Sequence, residues 1–432
     1  MKRSFTIISL GCPRNLVDSE CIISEFRKKG YLFRDNATGV DTVIINTCAF
    51  IEDAKKESID AILKVIDAKK NGAVKNIIVA GCLSERYPKE LRRDIKGIDG
   101  LRGVLDFKAT FTNPAVRLTP PHYGYIKISE GCGNRCTYCI IPRLKGPYRT
   151  RPIESIIKEA EHLVQRGIKE IVLVGQDTSL YGIDLYGKKR LAGLLERLQR
   201  ISDKIWIRLL YLHPGNLDKD VIKTIRDMKS ICRYIDLPIE HITESILKRM
   251  GRKTKTRDIY ALIKYIRKTI PGVAIRSSFI VGFPGERDKD FRALLSFIRD
   301  TRFERVGVFR YSREEGTPAY SIKPQISEKD KERRFQEVMS VQQGIAKEVN
   351  EKFRGEILKV LVEEKKESSY YIGRSEYDAP DVDGLVYVKG EGLEIGNFYN
   401  VRITDTYEYD LVGQHVRGFA SNRERVNSES CK

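Results

Sequence analysis

Six of the nine cysteines in this chain fall into two groups that suit iron–sulfur chemistry. Gly131-Cys132-Gly133-Asn134-Arg135-Cys136-Thr137-Tyr138-Cys139 spaces three thiols as C-x₃-C-x₂-C. Within eight residues, one tight loop brings three thiolates to three corners of a cubane. No fourth cysteine is near, which leaves one iron open, as catalytic metal sites keep a position for substrate. Zinc and chance spacing are the competing readings. Zinc usually wants four N or S ligands, and no histidine follows the third cysteine; His122 lies upstream.

The second group is Cys12, Cys48 and Cys82, separated by 36 and 34 residues. Each closes a short apolar run: Phe5-Thr6-Ile7-Ile8-Ser9-Leu10 before Gly11-Cys12, Thr42-Val43-Ile44-Ile45-Asn46 before Thr47-Cys48, and Asn76-Ile77-Ile78-Val79-Ala80 before Gly81-Cys82. Such runs read as buried strands of a parallel sheet. Helical patterns over Ser19–Lys29 and Ile51–Ala68 lie between them, as βαβ units require. In an open parallel sheet the carboxyl ends of the strands line one crevice where ligands bind. One apolar-flanked cysteine is more often a small buried hydrophobe. Three at equivalent strand ends point instead to a second cluster. Cys21 and Cys232 lack that setting and read as structural, and Cys431 as a tail residue.

The elements that must position these thiols divide the chain into an N-terminal α/β domain (1–115), a barrel (118–350), a small β-module (353–420) and a tail (421–432). A Pro-bearing connector, Asn113-Pro114 to Pro120-Pro121, marks the first boundary. Strands are expected at Tyr123–Ile128, Glu170–Val174, Trp206–Leu210, Tyr234–Leu237, Val273–Ile280 and Arg305–Phe309. Helices such as Ile153–Gln165, Leu191–Ile201 and Asp288–Thr301 separate them. Six β/α units imply a full or partial TIM-like barrel with its chemistry on the C-terminal face. A charged helix from Glu328 to Lys352 leads out. Short strands then follow, at Ile357–Val362, Tyr370–Gly373, Leu385–Val388 and Phe398–Ile403, and read as a small antiparallel β-barrel.

At 432 residues, several domains are the prior, and 41% apolar with 32% charged residues describes a globular protein. No apolar run reaches the length of a membrane span, and the basic start before Phe5 reads as leading into a first strand rather than a signal segment. The expectation is a cytoplasmic protein, whose grouped cysteines are ligands rather than disulfides. The net charge of +19 is uneven: residues 1–354 carry +24 and residues 355–411 carry −7. A basic body with an acidic module suggests two unlike partner surfaces, with a merely solvated basic surface as the bland alternative.

The C-x₃-C-x₂-C loop after a first barrel strand resembles the radical S-adenosylmethionine superfamily. There the cofactor's amino and carboxylate groups chelate the open iron, and an electron from the cluster cleaves the sulfonium to methionine and a 5′-deoxyadenosyl radical. The resemblance implies that Tyr138 contacts adenine and that Gly175, Gln176 and Asp177, after the second strand, lie near the methionine amino group. The three-part chain resembles the methylthiotransferase family, in Ser9-Leu10-Gly11-Cys12, Asn46-Thr47-Cys48, Ala80-Gly81-Cys82, Arg149-Thr150-Arg151-Pro152 and Gly282-Phe283-Pro284-Gly285-Glu286. It implies two 4Fe-4S clusters: Cys132, Cys136 and Cys139 hold the radical-generating one, and Cys12, Cys48 and Cys82 hold one that delivers CH₃S. Two S-adenosyl-L-methionine molecules are used, and the terminal module corresponds to a TRAM domain.

Within that family, Gly11-Cys12-Pro13-Arg14-Asn15-Leu16-Val17-Asp18-Ser19-Glu20, Gln176 to Gly182, Gly373-Arg374-Ser375, Asp378-Ala379-Pro380 and Tyr409-Asp410-Leu411 resemble the RimO type. That branch modifies an aspartate of the twelfth small-subunit ribosomal protein, S-12. Glu240 stands where the family usually has glutamine, which leaves the role of that position open. An acidic terminal module suits a basic protein better than RNA. The implied partners are S-12, an electron donor such as flavodoxin or ferredoxin, and a sulfur donor, with contact to ribosomal RNA allowed and no membrane. The alternatives are a tRNA adenosine methylthiotransferase of the same family, an iron–sulfur electron carrier, and a non-catalytic RNA-binding scaffold. Carriers usually close each cluster with four cysteines, unlike these open triads.

Overall fold

The computed structural model describes residues 3–36, 39–111, 114 and 116–417; the tail with Cys431 lies outside them, as does Asn113 of the connector. The β-branched runs of the N-terminal domain form a parallel sheet in the order β2-β1-β3-β4-β5. Its strands are β1 (Ser4–Ser9), β2 (Leu32–Phe33), β3 (Val40–Thr47), β4 (Val74–Gly81) and β5 (Gly100–Leu101). Its helices are α1 (Pro13–Lys28), α2 (Glu52–Lys70), α3 (Cys82–Arg86) and α4 (Pro88–Asp94). Helix α1 starts six residues before the expected Ser19, with Cys12 as its N-cap and Pro13 in its first turn, where the missing N–H costs nothing. Periodicity hid this start because the helix buries polar residues, among them Asn15, Asp18, Ser19 and Glu20.

Six parallel strands follow as a partial barrel: β6 (Tyr123–Lys127), β9 (Glu170–Val174), β10 (Trp206–Leu209), β11 (Tyr234–Asp236), β12 (Ala274–Val281) and β13 (Arg305–Arg310). They pair as β10-β9-β6 and β11-β12-β13, and an Ile207–Ile231 bridge adjoins the two sections. A two-residue antiparallel pair, β7 (Ser129–Glu130) with β8 (Arg149–Thr150), brackets the cysteine loop. Short α5 (Ile141–Lys145) lies inside that bracket. The outer layer comprises α6 (Ile153–Gln165), α7 (Leu191–Gln199), α8 (Lys219–Asp227), α9 (Glu244–Arg249), α10 (Thr256–Thr269) and α11 (Asp288–Thr301). Apolar faces of these helices and strands close one core that includes Ile171, Leu173, Leu194, Ile275, Phe279 and Phe297. Helix α12 (Glu328–Asn350) leads out against β13.

The terminal module is a closed barrel in the order β14-β15-β16-β18-β17. Its strands are β14 (Ile357–Glu367), β15 (Tyr370–Ser375), β16 (Val386–Lys389), β17 (Phe398–Thr406) and β18 (Leu411–His415). Four of the pairings are antiparallel, and β16 with β18 is parallel. Strand β18 is absent from the sequence reading because its Leu-Val-Gly-Gln-His lacks an alternating pattern. Gly413 is required there: a Cβ would stand 2.5 Å from Val401 and 2.7 Å from the Arg402 carbonyl.

This module packs against the N-terminal ends of the barrel strands, and its charge is partly a docking device. Glu170, the first residue of β9, accepts from Arg208 Nε at 2.6 Å and from Arg374 Nη2 of the module at 2.6 Å. Arg305, the first residue of β13, donates to Asp378 (2.5 and 2.9 Å), and Asp383 accepts from Tyr234 Oη (2.6 Å) and Arg276 Nε (3.3 Å). Arg233 N donates to Glu376 at 3.0 Å. By sequence alone the module's −7 suggests a partner surface. Glu376, Asp378 and Asp383 instead answer cations and amides of the barrel, so the acidic excess speaks only in part about a partner.

Candidate active site

The sheet register brings the three N-terminal thiols together. Ile8 pairs with Ile45, and Thr47 with Gly81, so Cys12, Cys48 and Cys82 follow neighbouring strand ends. The turn before Cys12 needs a glycine: Gly11 has φ +86°, and a Cβ there would stand 2.7 Å from the Cys48 Cβ. A buried amide pair then locks the loops. Asn46 Nδ2 donates to the Asn15 carbonyl (2.9 Å) and Ser19 Oγ (2.8 Å), while Asn15 Nδ2 donates to the Leu10 carbonyl at 2.6 Å. Thr47 Oγ1 donates to the Ala80 carbonyl and accepts from Leu83 N, and Ser58 Oγ accepts from Cys48 N at 3.1 Å.

Burial pushes the Cys82 thiol up to about 12, Lys145 opposing it and Cys48 and Cys12 adding to it. Cys48 is raised by burial and by the charge of Cys12. Burial acts upward on Cys12 too, but the charge of Arg14, two residues on, brings it below the ordinary thiol range. Cys12 is thus the readiest thiolate of the three, and Cys48 and Cys82 become thiolates when metal replaces their protons, so the donor set fits a cluster. None of the eight described cysteines is in a disulfide. No three His, Cys, Asp or Glu among the described residues close on a single-ion position. A cubane gives each thiolate its own iron, so its ligands stand at separate corners.

The barrel triad is held by local contacts. Gly131 (φ +74°) starts the loop where a Cβ would strike the Pro147 carbonyl at 2.1 Å. Thr137 N donates to the Met250 carbonyl (2.9 Å) and Thr137 Oγ1 to the Arg249 carbonyl (2.7 Å). Burial pushes Cys139 up to about 12, with Cys136 and Cys132 adding, and Cys132 is raised likewise by burial. The Tyr138 ring stands edge-on to Phe283 at 6.4 Å, and its hydroxyl accepts from Arg252 Nη1 at 3.3 Å. Arg252 also donates to the Pro238 carbonyl (2.6 Å) and lies 4.0 Å from Cys136 Sγ. Glu240, at φ +70°, faces this group; burial raises its carboxyl, and Arg252 and Tyr138 oppose the rise. Position 240 is therefore part of the site.

Gly175, Gln176 and Asp177 stand at the carboxyl end of β9. Gly175 has no room for a side chain, since a Cβ would meet Ser129 Oγ at 2.3 Å. Gln176 Nε2 donates to Glu130 at 2.6 Å, while its Oε1 is buried with no bonding partner. Asp177 is engaged by the protein itself. Its Oδ1 accepts from Ser179 N and Oγ, and its Oδ2 from Asn134 and Asn216, each at 2.8 Å. The chain's own donors fill this carboxylate, so Asp177 ties the cysteine loop to the barrel.

Two features of the site escaped the sequence reading. Lys127 and Lys145 share Asp18 and Glu130 in a buried charge cluster that joins α1 to the barrel. Arg14 was read only as part of a motif. It donates to the Gly175 carbonyl at 3.1 Å, and its guanidinium lies 4.4 Å over the Tyr211 ring. A charged residue two positions after a ligand cysteine was the available signal.

Known proteins match all three parts. The Radical SAM superfamily profile covers residues 126–298, Uncharacterized protein family UPF0004 covers 4–103, and the TRAM domain covers 355–416. The chain is 45% identical to the ribosomal protein uS12 methylthiotransferase RimO of Caldanaerobacter subterraneus subsp. tengcongensis, over 96% of this chain and all of that one. It is 43% identical to the protein of that name from Clostridioides difficile, over 94% and 97%. Among solved structures, the radical S-adenosylmethionine methyltransferase TsrM from Kitasatospora setae shares the fold, with TM-score 0.52 at 17% identity over 74% of this chain and 77% of that one. With that identity along nearly its whole length, the chain belongs to the RimO family of radical S-adenosylmethionine methylthiotransferases.

Proposed function

We propose that this protein inserts a methylthio group at the β-carbon of an aspartate of ribosomal protein uS12, the S-12 protein of the small subunit. The carrying observation is that Arg14, two residues after Cys12 of one triad, donates at 3.1 Å to the Gly175 carbonyl at the carboxyl end of the barrel strand β9, in a chain of this family. Cys132, Cys136 and Cys139 hold the cluster that generates the radical, and Cys12, Cys48 and Cys82 hold the one that delivers sulfur. When bound, the two clusters and two molecules of S-adenosylmethionine supply an electron, a carbon radical that abstracts hydrogen, and a methylated sulfur. Gln176 Oε1, buried and unbonded, is an acceptor suited to the cofactor's amino group. Tyr138, steadied by Arg252, offers its ring to adenine. Gly175 lets the backbone approach closely, and Asp177 fixes the loop that carries the cysteines. The reaction calls for a reductant of flavodoxin or ferredoxin type and a sulfur donor, both available in the cytoplasm. No helix of the described residues is long and apolar enough to cross a membrane.

The test is mass spectrometry of uS12 and of tRNA after incubation with the reconstituted holoenzyme, S-adenosylmethionine and a reductant. A CH₃S group replacing one hydrogen on a uS12 aspartate is the expected result. Modification of tRNA adenosine alone overturns the substrate, and no cofactor cleavage at all overturns the enzyme.

A further inference from the structure

The hydrogen leaves the carbon that receives sulfur, so that carbon has to lie between the radical-generating and sulfur-delivering sites. In aspartate this β-carbon is bonded directly to the carboxylate. A cation between the two triads would therefore place the reacting carbon by holding its neighbour.

Cations around the two cysteine loops differ in what already holds them. Lys127 and Lys145 are neutralised by Asp18 and Glu130. Arg252 is committed to Tyr138 Oη and the Pro238 carbonyl. Arg14 is half-buried, and among the described residues no carboxylate lies within ion-pair distance of it. Its contacts are the Gly175 carbonyl at 3.1 Å and the Tyr211 ring, which leaves donors of its five-donor fork for a ligand. Gly175 follows β9, so this one side chain reaches from the Cys12 loop to the carboxyl end of the barrel. The stacking is built in. Tyr211 is held at φ +64°, and its N–H donates to Asp236 at 2.8 Å, so the ring that sets the guanidinium plane is itself fixed. A clamped planar fork is the form that binds a carboxylate through two parallel bonds.

We propose that Arg14 binds the side-chain carboxylate of the substrate aspartate and thereby sets the choice of aspartate as substrate. This rests on the reading of uS12 as substrate, and the experiment separates the two. Binding of uS12 to the holoenzyme is measured for wild type, Arg14→Gln and Arg14→Lys. Each is tested against native uS12 and a uS12 whose modified aspartate is Asn, with iron content as the check on folding. A charge-assisted pair predicts that wild type prefers the Asp form about ten- to a hundredfold. Arg14→Gln abolishes that preference, and Arg14→Lys, with charge but no fork, reduces it severalfold. If Arg14 only steadies Cys12 or its cluster, Arg14→Gln weakens both uS12 forms alike and the preference survives, which overturns the assignment. Should Arg14→Gln lose iron, an unchanged preference in Arg14→Lys overturns it. A wild type that modifies uS12 but shows no Asp preference also overturns it. A wild type that neither binds nor modifies uS12 removes the substrate reading and this assignment with it.

Discussion

The two triads reach similar ends by opposite routes. The barrel triad sits in one eight-residue loop, pinned by Asp177, Thr137 and the glycine turn at Gly131. The N-terminal triad draws one thiol from each of three strand ends, and its spacing exists only because the sheet register is correct. A one-residue slip of a strand would turn its side chains to the other face and disperse the set. A loop-borne site is therefore robust to changes in the scaffold, whereas a register-borne site reports on the whole domain. The cations differ as well: Arg14 and Lys145 act on the N-terminal thiols, and Arg252 stands beside Cys136.

The largest effect that tests this contrast is removal of each triad. Two clusters of four irons predict about eight irons per reconstituted chain. Replacing Cys132, Cys136 and Cys139 with Ala halves the iron and abolishes 5′-deoxyadenosine formation. Replacing Cys12, Cys48 and Cys82 halves the iron yet leaves cofactor cleavage; full iron in that variant sinks the second cluster. A smaller effect comes from the supports. Asn46→Ala removes its bonds to the Asn15 carbonyl and Ser19 Oγ, and Asp177→Ala strands the Asn134 and Asn216 amides, each costing about 1–3 kcal/mol. Iron retention, measured in each triple-cysteine background, should fall only for the N-terminal cluster in the first and only for the barrel cluster in the second. Losses shared by both clusters would break the contrast.

The smallest effect is a pH dependence on the barrel side. Burial, with Arg252 nearby, depresses His213 to about 3, against about 6.5 when unfolded. Between those values the unfolded chain holds more protons. Stability is intact above about pH 6.5 and declines as pH falls toward 3. Chemical denaturation from pH 7 to pH 4 should show a shallower decline for His213→Gln than for wild type; equal slopes would remove His213 from the account.

How much of this was legible in the sequence follows the same divide. Spacing alone exposes the barrel triad, and apolar runs ending in cysteine expose the N-terminal one, because both signals are local. Strands β9 and helices α6 and α11 have the bounds their periodicity predicts. What stayed hidden depends on distant partners. Polar residues of α1 face inward because Asn46, Lys127 and Arg117 await them, so the pattern that marks a helix start is blurred. The partners of Asp177 are likewise invisible in the sequence: its Oδ2 accepts from Asn134 and from Asn216, which lies 39 residues on. A net charge of −7 cannot disclose that Asp378 and Asp383 face Arg305 and Arg276.

The docked terminal module has a consequence for inheritance. Glu170, Arg208 and Arg374 have almost no access to water, and Glu170 sits between two guanidiniums from different domains. A buried ion left without its partner costs about 3–5 kcal/mol, a large share of an ordinary domain's stability. A recombination event that spliced in another gene's terminal barrel would bring its own acids and arginines to a receptor that does not match. Such a crossover survives when Glu170, Arg208, Arg276 and Arg305 travel with it. Although the module looks like a detachable cassette, its natural seam runs through the base of the neighbouring barrel.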